Sequence, residues 1–505
     1  MKKIKLFLYI AAVSILTVAC DDAIDIRQPS ELLPEDTFET VGDLQTGIGG
    51  VYGSVPGEDV ILFTSLFTDE VKLGRANGGQ GTSGELAFLL NNQSGDAASI
   101  WLSNNTLINR ANRLLLGAST ITPVVSDEGD GIDETDAYNK VIAEAKVLRA
   151  YGHFQLLTFF SPDMKDDNAL GTIITDHVPT TKEQLPRNTN AEVFAFIEKD
   201  LADAEASKAL PKKAGVTGGF VSQDLITAIR ARMAVYRGKY DQAEAYINTL
   251  ISGYPLAAKG TGLNLGSAAD LSAKSAYFKM FRDPATGGTT EVIFKALRSV
   301  AATEPTGNFY QAWSSVNSTI TGGAFFEVST ALYQKYSADD IRRAVVIDPT
   351  SFPSFAVRPV GKYAESETVP LLGDIKLFRM SEMYLLKAEC RANANDFAGV
   401  AEQVNKVRAA RFGNTSNNIA VPANAQQAWA AILDERRIEF AFEGFRYIDI
   451  KRLGKLAGKG IDRNENDFAF NEAYTLDLDD HRWTLPIPRP EQSANRNIQQ
   501  NPGYN

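Results

Sequence analysis

Three carboxylates, Glu435, Glu439 and Glu443, recur at spacings of four in ILDERRIEFAFEGFRYIDIKRLGK, residues 432–455. On a helix such neighbours stand about 5–6 Å apart at Cβ, which overlaps the ~5–5.5 Å carboxyl separation of a retaining glycosidase. Any helical pair at this spacing gives that distance. Arg436, Arg437 and Arg446 lie beside them, so ion pairing that keeps the carboxylates charged is the simpler account. A catalytic acid needs a raised pKa, and nearby cations lower it. A second group of residues suits binding without chemical change. A sugar ring packs its apolar C–H face on a flat aromatic, and its hydroxyls need planar polar partners. Trp313 lies in NFYQAWSS with Asn308, Tyr310 and Gln311, and Tyr277 belongs to the same stretch of low periodicity, 257–325. Loop 74–80 adds Arg75, Asn77 and Gln80. Its glycines lack the strand-turn-helix setting of a phosphate cradle, and no G-x-x-x-x-G-K-[ST] motif is present.

The elements that must position these groups are helical. Apolar residues of 139–160 (Val141, Ala145, Leu148, Tyr151, Leu156) share a broad helix face. Segment 190–206 reads as a helix with Asn190 as N-cap and Glu192 in its first turn. Two helical hairpins are expected, at 222–252 and 376–408. Ala231, Gly238, Tyr240, Ala243 and Ile247 in the first, and Ala388, Asn395, Phe397, Val400 and Val404 in the second, occupy the same relative offsets. These offsets resemble a tetratricopeptide repeat, where a small residue lets paired helices approach and an aromatic fills the space beneath the turn. Residues 426–452 read as one further helix. Between them, 74–96, 257–325 and 347–372 are irregular, and irregular stretches of such length are often functional. The C-terminal 481–505 is too rich in Pro, Asn and Gln for helix, although Trp483, Leu485 and Ile487 imply packing. The expected fold class is mainly all-α, a helical platform carrying long irregular loops.

The chain has 505 residues, 44% hydrophobic and 22% charged, with a formal net charge of −11. That is globular composition with ample core. The negative balance argues against sequence-independent nucleic-acid binding and against a polybasic membrane-binding face; a neutral partner such as a carbohydrate fits it. Three histidines, His153, His177 and His481, are far apart in sequence, an arrangement that does not suggest a zinc site. Of two cysteines, Cys390 reads as a small core residue. The other opens a different argument. Lys2, Lys3 and Lys5 precede an apolar run from Leu6 to Ala19, which is the pattern of a secretory signal peptide and too short to span a bilayer. Ala19 before Cys20 resembles the lipobox of bacterial lipoproteins, with Thr17 departing from the usual leucine. Residues 1–19 are then a signal peptide and 20–30 a lipidated cysteine with its tether. One acyl chain anchors only marginally, so multiple acylation suits stable attachment.

Six stretches, in order, resemble the SusD/RagB family of exported Bacteroidetes lipoproteins: EAKVLRAYGHFQLLTFF (144–160), LPRNTNAEVFAFIEKDLADA (185–204), FEVSTALYQKYSADDIRR (326–343), LFRMSEMYLLKAE (377–389), the 432–455 segment and LPIPRPEQSANRNIQQNPGY (485–504). The match covers most of the chain and fails over 257–325. The resemblance implies a single tetratricopeptide-like domain, with an N-terminal half at 31–256, a variable loop region at 257–370 and a C-terminal half at 371–505. It implies a cell-surface position on the outer membrane, a SusC-like TonB-dependent barrel as partner, and capture of a glycan or sometimes a peptide for import. It implies neither catalysis nor a cofactor. It also makes Trp101, Trp429 and Trp483 framework residues, and it points to loop 74–80 as part of the ligand site. A surface-anchored helical glycoside hydrolase is the rival reading.

Overall fold

The computed structural model describes residues 37–504 except 75, 76, 78, 126–132, 181, 216, 217, 283–290, 299–323, 348–356, 364, 367, 368 and 371, with backbone alone at 365, 366, 369 and 370. Helices α1 (Val41–Tyr52), α2 (Glu58–Leu66), α3 (Gly95–Ala118), α4 (Thr135–Phe160) and α5 (Asn190–Ala206) build the first half. From Ala143 to Phe160 nearly every side chain of α4 is buried, the polar Glu144, Arg149, His153 and Gln155 included, so the helix is enclosed on all sides; α3 and α5 pack against it. The N-cap of α5 is Thr189, one residue before the expected Asn190. Thr189 Oγ1 accepts from the Glu192 N–H and the Glu192 carboxylate accepts from the Thr189 N–H, which closes a capping box.

Both expected hairpins form. Helices α6 (Gln223–Tyr236) and α7 (Tyr240–Ile251) make the first. The short helices α8 (Ala268–Lys274), α9 (Ala276–Met280), α10 (Thr330–Tyr333) and α11 (Arg343–Val346) separate it from the second, which is α12 (Met380–Asn393) and α13 (Phe397–Phe412). Gly238 and Asn395, at equivalent offsets, both take the left-handed conformation that turns the chain between helices, with φ of 72° and 57°. Ala231 and Ala388 are fully buried where the helices meet, and α12 packs on α7 to join the two pairs. Two expectations are corrected here. Residues 376–379 are strand, not the start of a hairpin helix. The segment 426–452 is two helices, α14 (Ala425–Glu439) and α15 (Arg446–Ala457), broken where Phe442 and Gly444 take positive φ. Helix α16 (Arg489–Ala494) follows near the C-terminus.

Among the described residues, six short strands tie the irregular segments down: β1 (Val71–Leu73), β2 (Val292–Ala296), β3 (Phe326–Val328), β4 (Glu365–Ser366), β5 (Val369–Pro370) and β6 (Ile375–Arg379). They pair antiparallel as β1–β3, β2–β6 and β4–β5. The region 257–325, expected to be irregular, therefore contains α8, α9 and β2. All five residues of β2 are buried, so no polar–apolar alternation marks it in the sequence. Trp101, Trp429, Trp483 and Cys390 are all buried, as expected.

Candidate functional site

Glu435, Glu439 and Glu443 do not share a helix, since α14 ends at Glu439. All three are buried. Glu439 meets Arg411 at 2.7 Å, Arg379 at 2.5 Å and Arg342 at 3.2 Å. Glu443 pairs with Arg379 at 2.8 Å and with Lys362, and Glu435 with Arg342 at 2.5 Å and Arg408 at 2.7 Å. The expected neighbours go elsewhere: Arg436 to Asp449, Arg437 to Asp69 and Asp462, Arg446 to Asp69. Burial alone would raise the Glu439 carboxyl, but Arg411 and Arg379 override it and hold the group well below the usual range. A carboxylate in that state anchors; it does not donate a proton. Glu291, immediately before β2, completes the cluster through Arg379 and Arg411 at 2.8 and 2.9 Å. The network thus fastens the β2–β6 pair, Arg342 and Lys362 to α13 and α14.

Tyr277 belongs to this interior and not to a ligand surface. Its ring is fully buried with the Arg411 guanidinium 4.3 Å from the ring centroid, so no face is open to a sugar. This corrects the sequence expectation. Asn77 and Gln80 lie where expected, in a turn after β1. The Asn77 amide donates to the Gln80 carbonyl at 2.8 Å, and the Gln80 side chain is exposed. Arg75, Asn308, Tyr310, Trp313 and Cys20 lie outside the described residues.

The chain on either side of 299–323 is firmly placed. Upstream, Arg298 pairs with Glu58 of α2, its N–H donates to Asp374 at 2.8 Å, and Lys295 holds the same Asp374 at 2.6 Å. Arg298 and Leu297 stand at the wall of a groove of about 460 Å³ between β2, the α1–α2 turn and α3. Helix α3 turns Ser99, Leu102, Ser103, Thr106 and Arg110 into it, and Tyr52 closes one side. Leu102 and Leu297 are 67% and 45% exposed, so the groove mixes apolar surface with hydroxyls. Downstream, β3 lies against β1, and the Gly74 N–H donates to the Phe325 carbonyl at 2.7 Å. A Cβ on Gly74 would sit 2.0 Å from the Ala324 carbonyl oxygen, so only glycine permits this approach. The described chain thus ends at the groove with Arg298 and resumes at Ala324, beside loop 74–81. The groove residues escaped the sequence reading, although Ser99, Ser103 and Thr106 at helical spacing were visible there.

Burial raises the Glu85 carboxyl to about 7 and raises that of Asp96, with Asp96 disfavouring charge on Glu85 and Asp59 doing so for Asp96. Asp59 also lines the groove. Two carboxylates, Glu58 and Asp59, and two guanidiniums, Arg110 and Arg298, line the groove, a balanced charge that suits a neutral ligand.

Comparison with known proteins agrees with this architecture. A family model described as "SusD family" matches residues 371–504, and one described as "Starch-binding associating with outer membrane" matches residues 102–217. The chain is 26% identical to SusD-like protein P2 of Formosa agariphila, covering all of both chains. It is 21% identical to SusD-like protein P38 of the same organism, over 90% of this chain and 93% of that one. Among solved structures, a putative sugar binding protein from Bacteroides vulgatus superposes with a TM-score of 0.71 at 22% identity, covering 93% of this chain and 100% of the other. A SusD superfamily protein from Bacteroides thetaiotaomicron gives 0.71 at 20% identity, with 92% and 100% coverage.

Proposed function

We propose, from the premise that the chain belongs to the SusD-like family, that it is a non-catalytic receptor for a neutral polysaccharide or its oligomers. It is held on the outer face of the outer membrane by lipid on Cys20 and hands its ligand to a SusC-like TonB-dependent barrel. The ligand lies across the groove and loop 74–81, with Trp313 as the stacking platform and Tyr310, Asn308, Asn77, Arg75 and Gln80 supplying polar contacts. The observation that supports this reading is the placement of the two flanking described residues: Arg298 lines the groove, and the Phe325 carbonyl accepts from Gly74 at the start of loop 74–81. On this reading the two stretches that sequence chemistry singles out separately contribute to one site. The buried, ion-paired state of Glu439 supports binding over hydrolysis.

Binding of residues 21–505 to soluble starch, xylan, laminarin and mannan tests the proposal, with Trp313→Ala alongside. A hit weakened by about 1–3 kcal/mol in the variant, the scale of one lost aromatic stack, supports both function and site. Undiminished binding moves the site away from Trp313, and binding of peptides in place of every glycan overturns the glycan assignment.

A further inference from the structure

A second polar pocket, of about 460 Å³, opens between α10 and the loop 462–467. Gln334 and Lys335 form one wall; Asn464, Glu465 and Asn466 form the other. Its floor is rigid. The Arg463 guanidinium donates to the carbonyls of Leu66, Thr68, Leu86 and Ala473 at 2.7–2.9 Å. It is also sandwiched between the rings of Phe88 and Phe468, 4.0 and 4.2 Å from their centroids. Asp467 fixes the loop to α10 by accepting from the Thr330 N–H at 2.7 Å and its hydroxyl at 3.0 Å. Asp462 is held by Arg437 at 2.7 Å and Lys335 at 3.1 Å.

The rim differs from the floor. The side chains of Gln334, Glu465 and Asn466 are hydrogen-bonded to no other described residue. Two carboxamides and a carboxylate, Gln334 from the end of α10 and Glu465 and Asn466 from the clamped loop, line the pocket as solvent-facing donors and acceptors that hydroxyl groups can engage. Lys335 and Arg437 offset Asp462, so the pocket favours neither an anion nor a cation strongly. A polar concavity of this size over a fixed floor accommodates a small polyhydroxylated unit.

We propose that this pocket is a second carbohydrate subsite, taking sugar units of the same neutral polymer; the inference rests on the glycan-binding reading above. The wall at Ala331 follows Ala324, beside loop 74–81, by seven residues, at most about 25 Å even when fully extended. One glycan chain reaches both sites, and the second contact raises avidity through effective concentration.

The test is titration calorimetry of residues 21–505 with starch, xylan, laminarin and mannan and with the trisaccharide of each, comparing Gln334→Ala/Asn466→Ala with Trp313→Ala. Two trisaccharide sites per protein are expected. The double variant keeps one and loses about tenfold in affinity for the polymer, with an unchanged melting curve. A single site that Trp313→Ala removes and the double variant retains overturns this inference and leaves the glycan reading intact. A lowered melting curve for the double variant also overturns it, because the rim residues are then structural. Binding of none of these probes counts against both readings.

Discussion

The centre of the molecule and its loop face use polar side chains in opposite ways. In the centre, Arg342, Arg379, Arg411, Glu291 and Glu439 are almost wholly removed from water and paired with one another. At the loop face, Asn77 and Gln80 close a local turn, and Gln334, Glu465 and Asn466 point into open pockets. The carboxylates densest in the sequence lie in the buried ion-paired centre. The dense carboxylates of 435–443 anchor irregular segments to the platform, whereas the proposed ligand face relies on scattered amides and aromatics. A buried ion pair is weak evidence for stability, but removing one partner leaves the other stranded.

Breaking the centre has the largest expected effect. Arg379→Ala removes the cation that Glu439, Glu443 and Glu291 all share, leaving Arg411, Arg342 and Lys362 to hold three buried carboxylates, and is expected to cost about 3–5 kcal/mol in denaturant unfolding. Glu70 sharpens the contrast through pH. Burial raises its carboxyl from 4.5 to about 7, against the lowering effect of hydrogen bonds from Ser65 and the Phe442 N–H. The folded chain then holds a proton that the unfolded chain releases above about 4.5. This contribution to stability is complete below that pH and is lost as pH rises through about 7. Glu70→Gln is expected to flatten the decline and to exceed the wild type by roughly 3 kcal/mol at alkaline pH. An unchanged pH profile would refute the assignment.

At the loop face, Gly74→Ala forces Ala324 away from loop 74–81. It is expected to cost about 1–3 kcal/mol as an overpacking change and to weaken ligand binding, whereas Arg379→Ala acts on stability first. The smallest effect is at the platform's edge. Thr189→Ala removes the capping box of α5 and is expected to lower unfolding free energy by about 1 kcal/mol without altering ligand affinity.

The helical platform was legible because its signals are local. Both hairpins are marked by small residues and aromatics at fixed offsets, and Gly238 and Asn395 mark their turns. What escaped depended on distance. Glu439 finds Arg411 and Arg342 at separations of 28 and 97 residues, and no neighbouring residue announces those pairs. Neighbouring Arg436 and Arg437 suggested themselves instead, although their side chains leave α14 toward Asp449 and Asp69. The break after Glu439 rests partly on Phe442 at a φ of 61°, which no propensity predicts for phenylalanine. Tyr277 was misread because an aromatic in a stretch of low periodicity resembles a surface platform until Arg411 is found on its ring. The groove along α3 needed β2 and the α1–α2 turn beside it before its hydroxyls faced anything.

The most direct test of the central claim is to incubate residues 21–505 with each polysaccharide that binds saturably, and to measure polymer length before and after. The account predicts bound polymer recovered at its original length, with affinity reduced in Trp313→Ala. Shortened chains, formed at a rate proportional to protein and surviving repurification, would contradict it and make the protein a hydrolase.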